Sequence, residues 1–380
     1  MLLKYSGWID RILKHRRVTA ELQSNLEEQI LSIIMNYYKE KGKNPETDEF
    51  PEHLLNEWAA DSADVILKTI KSKVVPVLRS EKKYRSGFES RLRRIWGRAL
   101  DLLEIHIIIS LEAGHFFNVR YRQEASASQD RIFEVLVRLH ARGCQISSEI
   151  LTLLKAGFAD GSHARWRTLH ELAVVAYFIK EKEDDELAER YLLHSAVESY
   201  RGAMQYQKHY EALGEKPIKE NVMRKIEDSV NKLCERFGPN FREKYGWAAK
   251  SLDNPNPSFA DIENSAGFEH MRPWYKMASH NVHANPKGIM FRLGYDQRDL
   301  MLAGPSNEGP ADPGQSTALS LLQLTVPLLS LHVSAENLLE LLVLSKLTHE
   351  VRDAFLEAHQ KLEDRKKRAR LDTNKKTNHL

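Results

Sequence analysis

Ionisable side chains gather in two places along this chain. The first is His163-Ala-Arg165-Trp-Arg167-Thr-Leu-His170-Glu171, which runs directly into the apolar Leu172-Ala-Val-Val-Ala-Tyr-Phe-Ile179. The second is Tyr275-Lys-Met-Ala-Ser279-His280-Asn281-Val282-His283, with Arg272 one turn ahead of it. On a helix of ~3.6 residues per turn, His163, Arg167, His170 and Glu171 share one stripe, and Tyr275, Ser279 and His283 share another. If the two helices pack together, Arg167, Glu171 and His283 meet. An arginine can hold a phosphate and stabilise its pentacoordinate transition state, a histidine can exchange a proton near neutral pH, and Glu171 or Ser279 can orient the imidazole. The same residues also have a purely structural reading, in which Arg167 and Glu171 form a buried ion pair and His283 and Ser279 tie helix to helix. A metal held by His163, His170, Glu171, His280 and His283 is only weakly signalled, because sixteen histidines are scattered through the chain and no metal-ligand spacing accompanies these. Gly-rich phosphate loops, GxSxG, HExxH and CxxC motifs are all absent from the sequence, which removes the commonest enzyme classes. No metal or cofactor is expected.

The elements that would position these residues read as helices throughout. Apolar residues recur at three and four, as in Leu22, Leu26, Ile30 and Ile33, then Leu55, Trp58, Ile66 and Ile70. Ile132, Leu136, Leu139, Gly143, Ile146, Ile150 and Leu153 make a seam with coiled-coil-like spacing, a long core-facing helix. Glu186 to Leu213, Val222 to Phe237, Phe268 to Ala284, Ser316 to Leu347 and Thr348 to Arg370 continue the pattern. Ile289–Leu293 and Asp299–Leu302 could form one small β-hairpin. The expected fold is an all-α bundle joined by short turns. The polar stretch Gln123 to Asp130 places a boundary near residue 124, giving an N-terminal helical region, 1–124, a bundle domain, 125–360, and a basic, disordered tail, 361–380.

The formal net charge is +3, but residues 361–380 hold eight Lys or Arg against three acids, or +5, which leaves −2 for the rest. Any attraction to nucleic acid must therefore be local. Arg91, Arg94 and Arg98, set among Tyr84, Phe88 and Trp96, and Lys366 and Lys367 in the tail are the candidate phosphate contacts. A solvated helix face paired with Glu81, Glu89 and Asp101 is the plainer reading of the first group and the preferred one. Cys144 and Cys234 read as reduced thiols, the start lacks a signal-peptide core, and the uncharged Pro313–Ala335 reads as a Pro-kinked core helix, so a cytoplasmic protein without a membrane span is expected.

The pattern Arg167-x-Leu169-x-Glu171 followed by Tyr275…Ser279-x-x-x-His283 resembles a widespread bacterial family of helical proteins of unknown function. That family is similar in turn to the HEPN (higher eukaryote and prokaryote nucleotide-binding) superfamily, whose members include many metal-independent ribonucleases of toxin and antiviral systems with an Arg-x4–6-His motif. The resemblance covers roughly residues 125–345. It implies a HEPN-like core, an endoribonuclease or RNA- or nucleotide-binding activity in stress or phage defence, and a homodimer with paired sites. Two sites follow from it. One is the literal Arg165 to His170 motif, whose members lie about 140° apart on a straight helix. The other is Arg167, Glu171 and His283, supported by Ser279, Tyr275 and His280, and is preferred because its members align on faces. A non-catalytic helical module that binds a partner protein is the rival function.

Overall fold

The computed structural model describes residues 32, 35–42, 44, 52–290, 292–294 and 303–377. The expected seam over Leu22 to Ile33, the chain start and Asp299–Leu302 lie outside them. Eleven α-helices are described: α1 (Glu52–Ser128), α2 (Arg131–Lys155), α3 (Ala159–Lys182), α4 (Asp185–Leu193), α5 (Ser195–His209), α6 (Glu220–Phe237), α7 (Phe259–Ser265), α8 (Arg272–His280), α9 (Pro286–Met290), α10 (Ala311–Leu329) and α11 (Ala335–Thr377). Three short 3-10 turns lie between α6 and α8, and no strand occurs among the described residues. The protein is an all-α bundle. Ile289 and Met290 belong to α9, so the first two residues of the expected hairpin limb are helical, not extended.

The chain divides into two compact units, residues 1–87 and 88–380. The division falls inside α1 and not at the polar stretch near 124. There, Ser128 ends α1 and Asp130 caps α2 by accepting from the Phe133 amide at 2.8 Å. In the first unit, α1 continues through Pro76, where the sequence suggested a kink or stop.

The second unit contains the core. α2, α3 and α10 pack on one another, α11 packs on α10, and α8 packs on α3. Its largest fully buried side chains include Trp96, Trp166, Phe133, Phe178 and Phe355. The α2 seam is realised, with Phe133, Leu136, Leu139, Ile146, Ile150 and Leu154 buried. Gly143 allows α10 to approach, since a Cβ there would sit 2.1 Å from Leu324 Cδ2.

Three helix boundaries differ from expectation. The run 186–213 breaks at His194, whose ring bonds the Glu243 carbonyl at 2.9 Å, while Arg190 donates to the carbonyls of Phe237, Gly246 and Trp247. The expected break at 347/348 falls instead at 330–334: α10 runs through Pro327 to Leu329, and the Ser334 hydroxyl accepts from the Asn337 amide at 3.1 Å to start α11. Residues 361–377 continue α11, where composition suggested a disordered tail.

α1 holds one stretch, within Ile70–Ser128, long and apolar enough by composition to cross a membrane, with mean hydropathy 1.3. The Pro313–Ala335 segment is not such a stretch; most of its α10 portion is buried in the bundle.

Candidate functional site

α3 starts just beyond a tight turn at Gly157, whose φ of +81° and lack of a Cβ let Phe88 and the Ser306 carbonyl approach. Asp160, in the first turn, accepts from the Leu293 amide at 2.8 Å. The helix then places Arg167 and Glu171 one turn apart on the face that meets α8. Arg167 Nε donates to Glu171 Oε1 at 3.1 Å, and the Tyr275 hydroxyl donates to the same oxygen at 2.6 Å. The Arg167 guanidinium also lies 4.7 Å from the centre of the Tyr275 ring. Its Nη1 is 3.4 Å from His283 Nε2. Since arginine only donates, the imidazole accepts through this nitrogen.

Burial lowers the Arg167 pKa, and Tyr275 and Glu171 more than offset it, so the guanidinium is held above its ordinary value. Burial, then the bond to Glu171, pushes the Tyr275 phenol well above its usual range. Tyr275 therefore stays a neutral donor across physiological pH. Arg167 is 24% exposed and Glu171 35%, while His283 is exposed. The network is a half-open surface site rather than a sealed ion pair.

His283 sits past the end of α8, in the turn over 281–283, where the sequence suggested helix to Ala284. Two contacts fix that turn. The His283 amide donates to the Ser279 carbonyl at 3.2 Å, and Asn285 Nδ2 lies 3.0 Å from His280 Nδ1. His280 thus positions the turn without touching Arg167. Ser279 donates its hydroxyl to the Tyr275 carbonyl at 2.8 Å, a bond within its own helix. No contact joins Ser279 to His283's ring or to Glu171 among the described residues.

Arg165 and His170 do not meet. Arg165 faces α2, where it pairs with Glu149. His170 is fully buried, with Nε2 2.9 Å from Glu263 Oε1, and the other carboxylate oxygen of Glu263 forms an ion pair with Arg272, 2.5 Å from its Nε. This His170–Glu263–Arg272 link joins α3, α7 and α8 directly beneath the surface network, with the Tyr275 ring 5.7 Å from that of His170. The sequence shows Phe259-Ala-Asp-Ile-Glu263 only as a short helix with Ser258 as its N-cap, and nothing local in it singles out Glu263. The signal for it was charge balance, since a helix buried at His170 and approached by Arg272 needs a carboxylate. Among the described residues no group of three or more His, Cys, Asp or Glu could hold a metal, so the five-residue set around His163 is not gathered.

A cleft of about 940 Å³ is lined by Arg131, Arg138, His194, Lys244 and Tyr245 among others, and by no member of the network. Arg91 and Arg94 are exposed, Arg98 pairs with Glu357 at 3.1 Å, and Lys367 is exposed. Lys366 is half-buried between Glu308 and Glu363, at 2.6 and 2.7 Å, and is committed to those carboxylates.

Fold and site together define an all-helical bundle with an Arg–Glu–Tyr–His surface network. Residues 133–299 match a family of unknown function (DUF5677), and the match spans every member of that network. No curated protein and no solved structure matches the chain.

Proposed function

We propose that this protein binds and cleaves RNA by a metal-independent acid–base mechanism of the HEPN kind, at a site made of Arg167, Glu171, Tyr275 and His283. The observation that supports it is the 3.4 Å approach of an exposed histidine to an arginine braced from behind by a carboxylate and a phenol. A phosphate is a stronger acceptor for a guanidinium than a neutral imidazole, so an entering phosphodiester displaces His283 from Arg167 and frees its lone pair. His283 then takes the 2′-hydroxyl proton as the 2′-oxygen attacks phosphorus. Arg167 stabilises the added negative charge. The imidazolium returns the proton to the departing 5′-oxygen, leaving a 2′,3′-cyclic phosphate. Stress response or phage defence is the setting that the resemblance to HEPN proteins suggests. Residues 91, 94 and 367 supply further phosphate contacts.

The test is purified protein with total RNA, with and without chelator. Cleavage is expected in both, and His283→Ala and Arg167→Ala are each expected to reduce it by on the order of 100-fold or more, with melting temperature nearly unchanged. No cleavage by the wild type in either condition rejects the nuclease, and two unfolded variants mark the network as structural. One observation favours a second reading, a non-catalytic module for a partner protein: the Ser279 hydroxyl is committed to its own helix and leaves the imidazole without that support.

A further inference from the structure

α1 and α11 lie antiparallel, with Arg98 bonded to Glu357, His106 to Thr348 at 2.8 Å, and Arg120 to Glu336. The first-named residues ascend as their partners descend. This alignment sets two exposed apolar stripes side by side. On α1 these are Ile105, Phe116 and Val119, at 48, 63 and 63% exposure; on α11 they are Leu339, Leu342 and Val343, at 63, 51 and 43%. The opposite face of each helix is buried through Leu103, Ile107, Phe117, Leu344 and Val351, so these outward residues are surplus to the core.

With Ile108 and Leu338 beside them, at about half of a ~200 Å² side chain each, the stripes offer roughly 800 Å² of apolar surface. A monomer's largest patch is ordinarily about 300–600 Å², whereas a stable interface covers ~800 Å² on each partner. The area fits one flat, two-helix contact. An anionic bilayer fits less well, because Glu112, Glu336 and Glu340 stand within the same exposed segments.

We infer that this face binds a second copy of the chain, the two α1–α11 pairs meeting across a two-fold axis as a four-helix layer. An antiparallel helix pair with such a face, largely apolar and interrupted on α1 by Glu112, is suited to such an isologous contact, since each stripe meets its own kind. Packing runs from α11 to α10, from α10 to α3, and from α3 to α8, so α10 stands between α11 and the helix that carries Arg167, and no member of the Arg167–His283 network lies on α1 or α11. The dimer therefore forms without a residue of the Arg167–His283 network in its interface, in contrast to the paired-site dimer that resemblance to HEPN proteins implies. This inference is independent of the proposed RNA cleavage.

Light scattering of the full chain is expected to give twice 43.9 kDa, about 88 kDa. Phe116→Glu and Leu339→Glu should each weaken self-association by on the order of 100-fold while leaving helical content and any RNA cleavage unchanged. Hydrogen exchange on the wild type avoids variants altogether: protection over 105–119 and 338–343 should rise with protein concentration. A monomer at all concentrations, a dimer untouched by both substitutions, or concentration-independent exchange overturns the inference. So does flotation of the wild-type monomer with phosphatidylcholine vesicles, which would assign the face to lipid.

Discussion

At the scale of single residues, three buried histidines outside the site couple the stability of the fold to pH. His106, His140 and His163 are buried, and burial pushes each imidazole down to about 4. In the unfolded chain they titrate near 6.5, so that state takes up more protons between pH 6.5 and 4. Their contribution is thus complete above pH 6.5, declines as pH falls through that window, and is lost below about 4. Each shift corresponds to on the order of 3 kcal/mol. His163 is the informative one, because it stacks on Trp166 at 5.5 Å and neither ring nitrogen has a hydrogen-bond partner among the described residues. His163→Leu should hold the melting temperature at pH 7.5 and make its fall toward pH 5 shallower. A variant curve parallel to the wild type's would show that His163 does not titrate in this way.

At the scale of elements, the position of His283 depends on how α8 is held. Glu263 is fully buried between His170 and Arg272, so α7 clamps α3 to α8 through one carboxylate. Removing one member of a buried ion network leaves the others uncompensated, at about 3–5 kcal/mol. Glu263→Ala should lower the urea midpoint accordingly, and Glu263→Gln, which keeps the shape and one acceptor, should lower it less. Equal behaviour of the two would mean that the charge is immaterial. This clamp also marks what the sequence could convey. The period of 3.6 displayed α2 and the faces of α3, and a spacing of four displayed Arg167 and Glu171, because helix geometry is local. The convergence of His283 was legible for the same reason, although it lies in a turn beyond α8 and not in the helix. Glu263 and the break at 194 were not legible, because each is decided by a partner on another element: His170 and Arg272 for the first, Glu243 for the second. The break before α11 is set by a cap at Ser334 that the continuous apolar run conceals.

At the scale of the molecule, antiparallel packing of α1 and α11 unites two basic segments, Arg91–Arg94 and Arg365–Arg368, that are more than 270 positions apart in sequence. The Arg98–Glu357 bridge sets the register. Seven residues back along α1 is Arg91, and eight residues on along α11 is Arg365, so at ~1.5 Å per residue both lie roughly 11 Å beyond the bridge. Arg91, Arg94, Arg365, Lys367 and Arg368 are exposed there, and no carboxylate pairs with Arg91 or Arg94 among the described residues. Unpaired cations in one place release counterions when they meet a phosphate backbone, while paired ones such as Lys366 and Arg98 contribute little. Arg91→Glu with Arg94→Glu should therefore weaken binding of single-stranded RNA. It should also flatten the slope of log affinity against log salt by about 1.4, at ~0.7 for each phosphate no longer neutralised. Cleavage of a dinucleotide, which offers a single phosphodiester to Arg167, should not change. Fluorescence anisotropy across a salt series reads the slope, and a slope equal to the wild type's would reduce this end of the molecule to a solvated face.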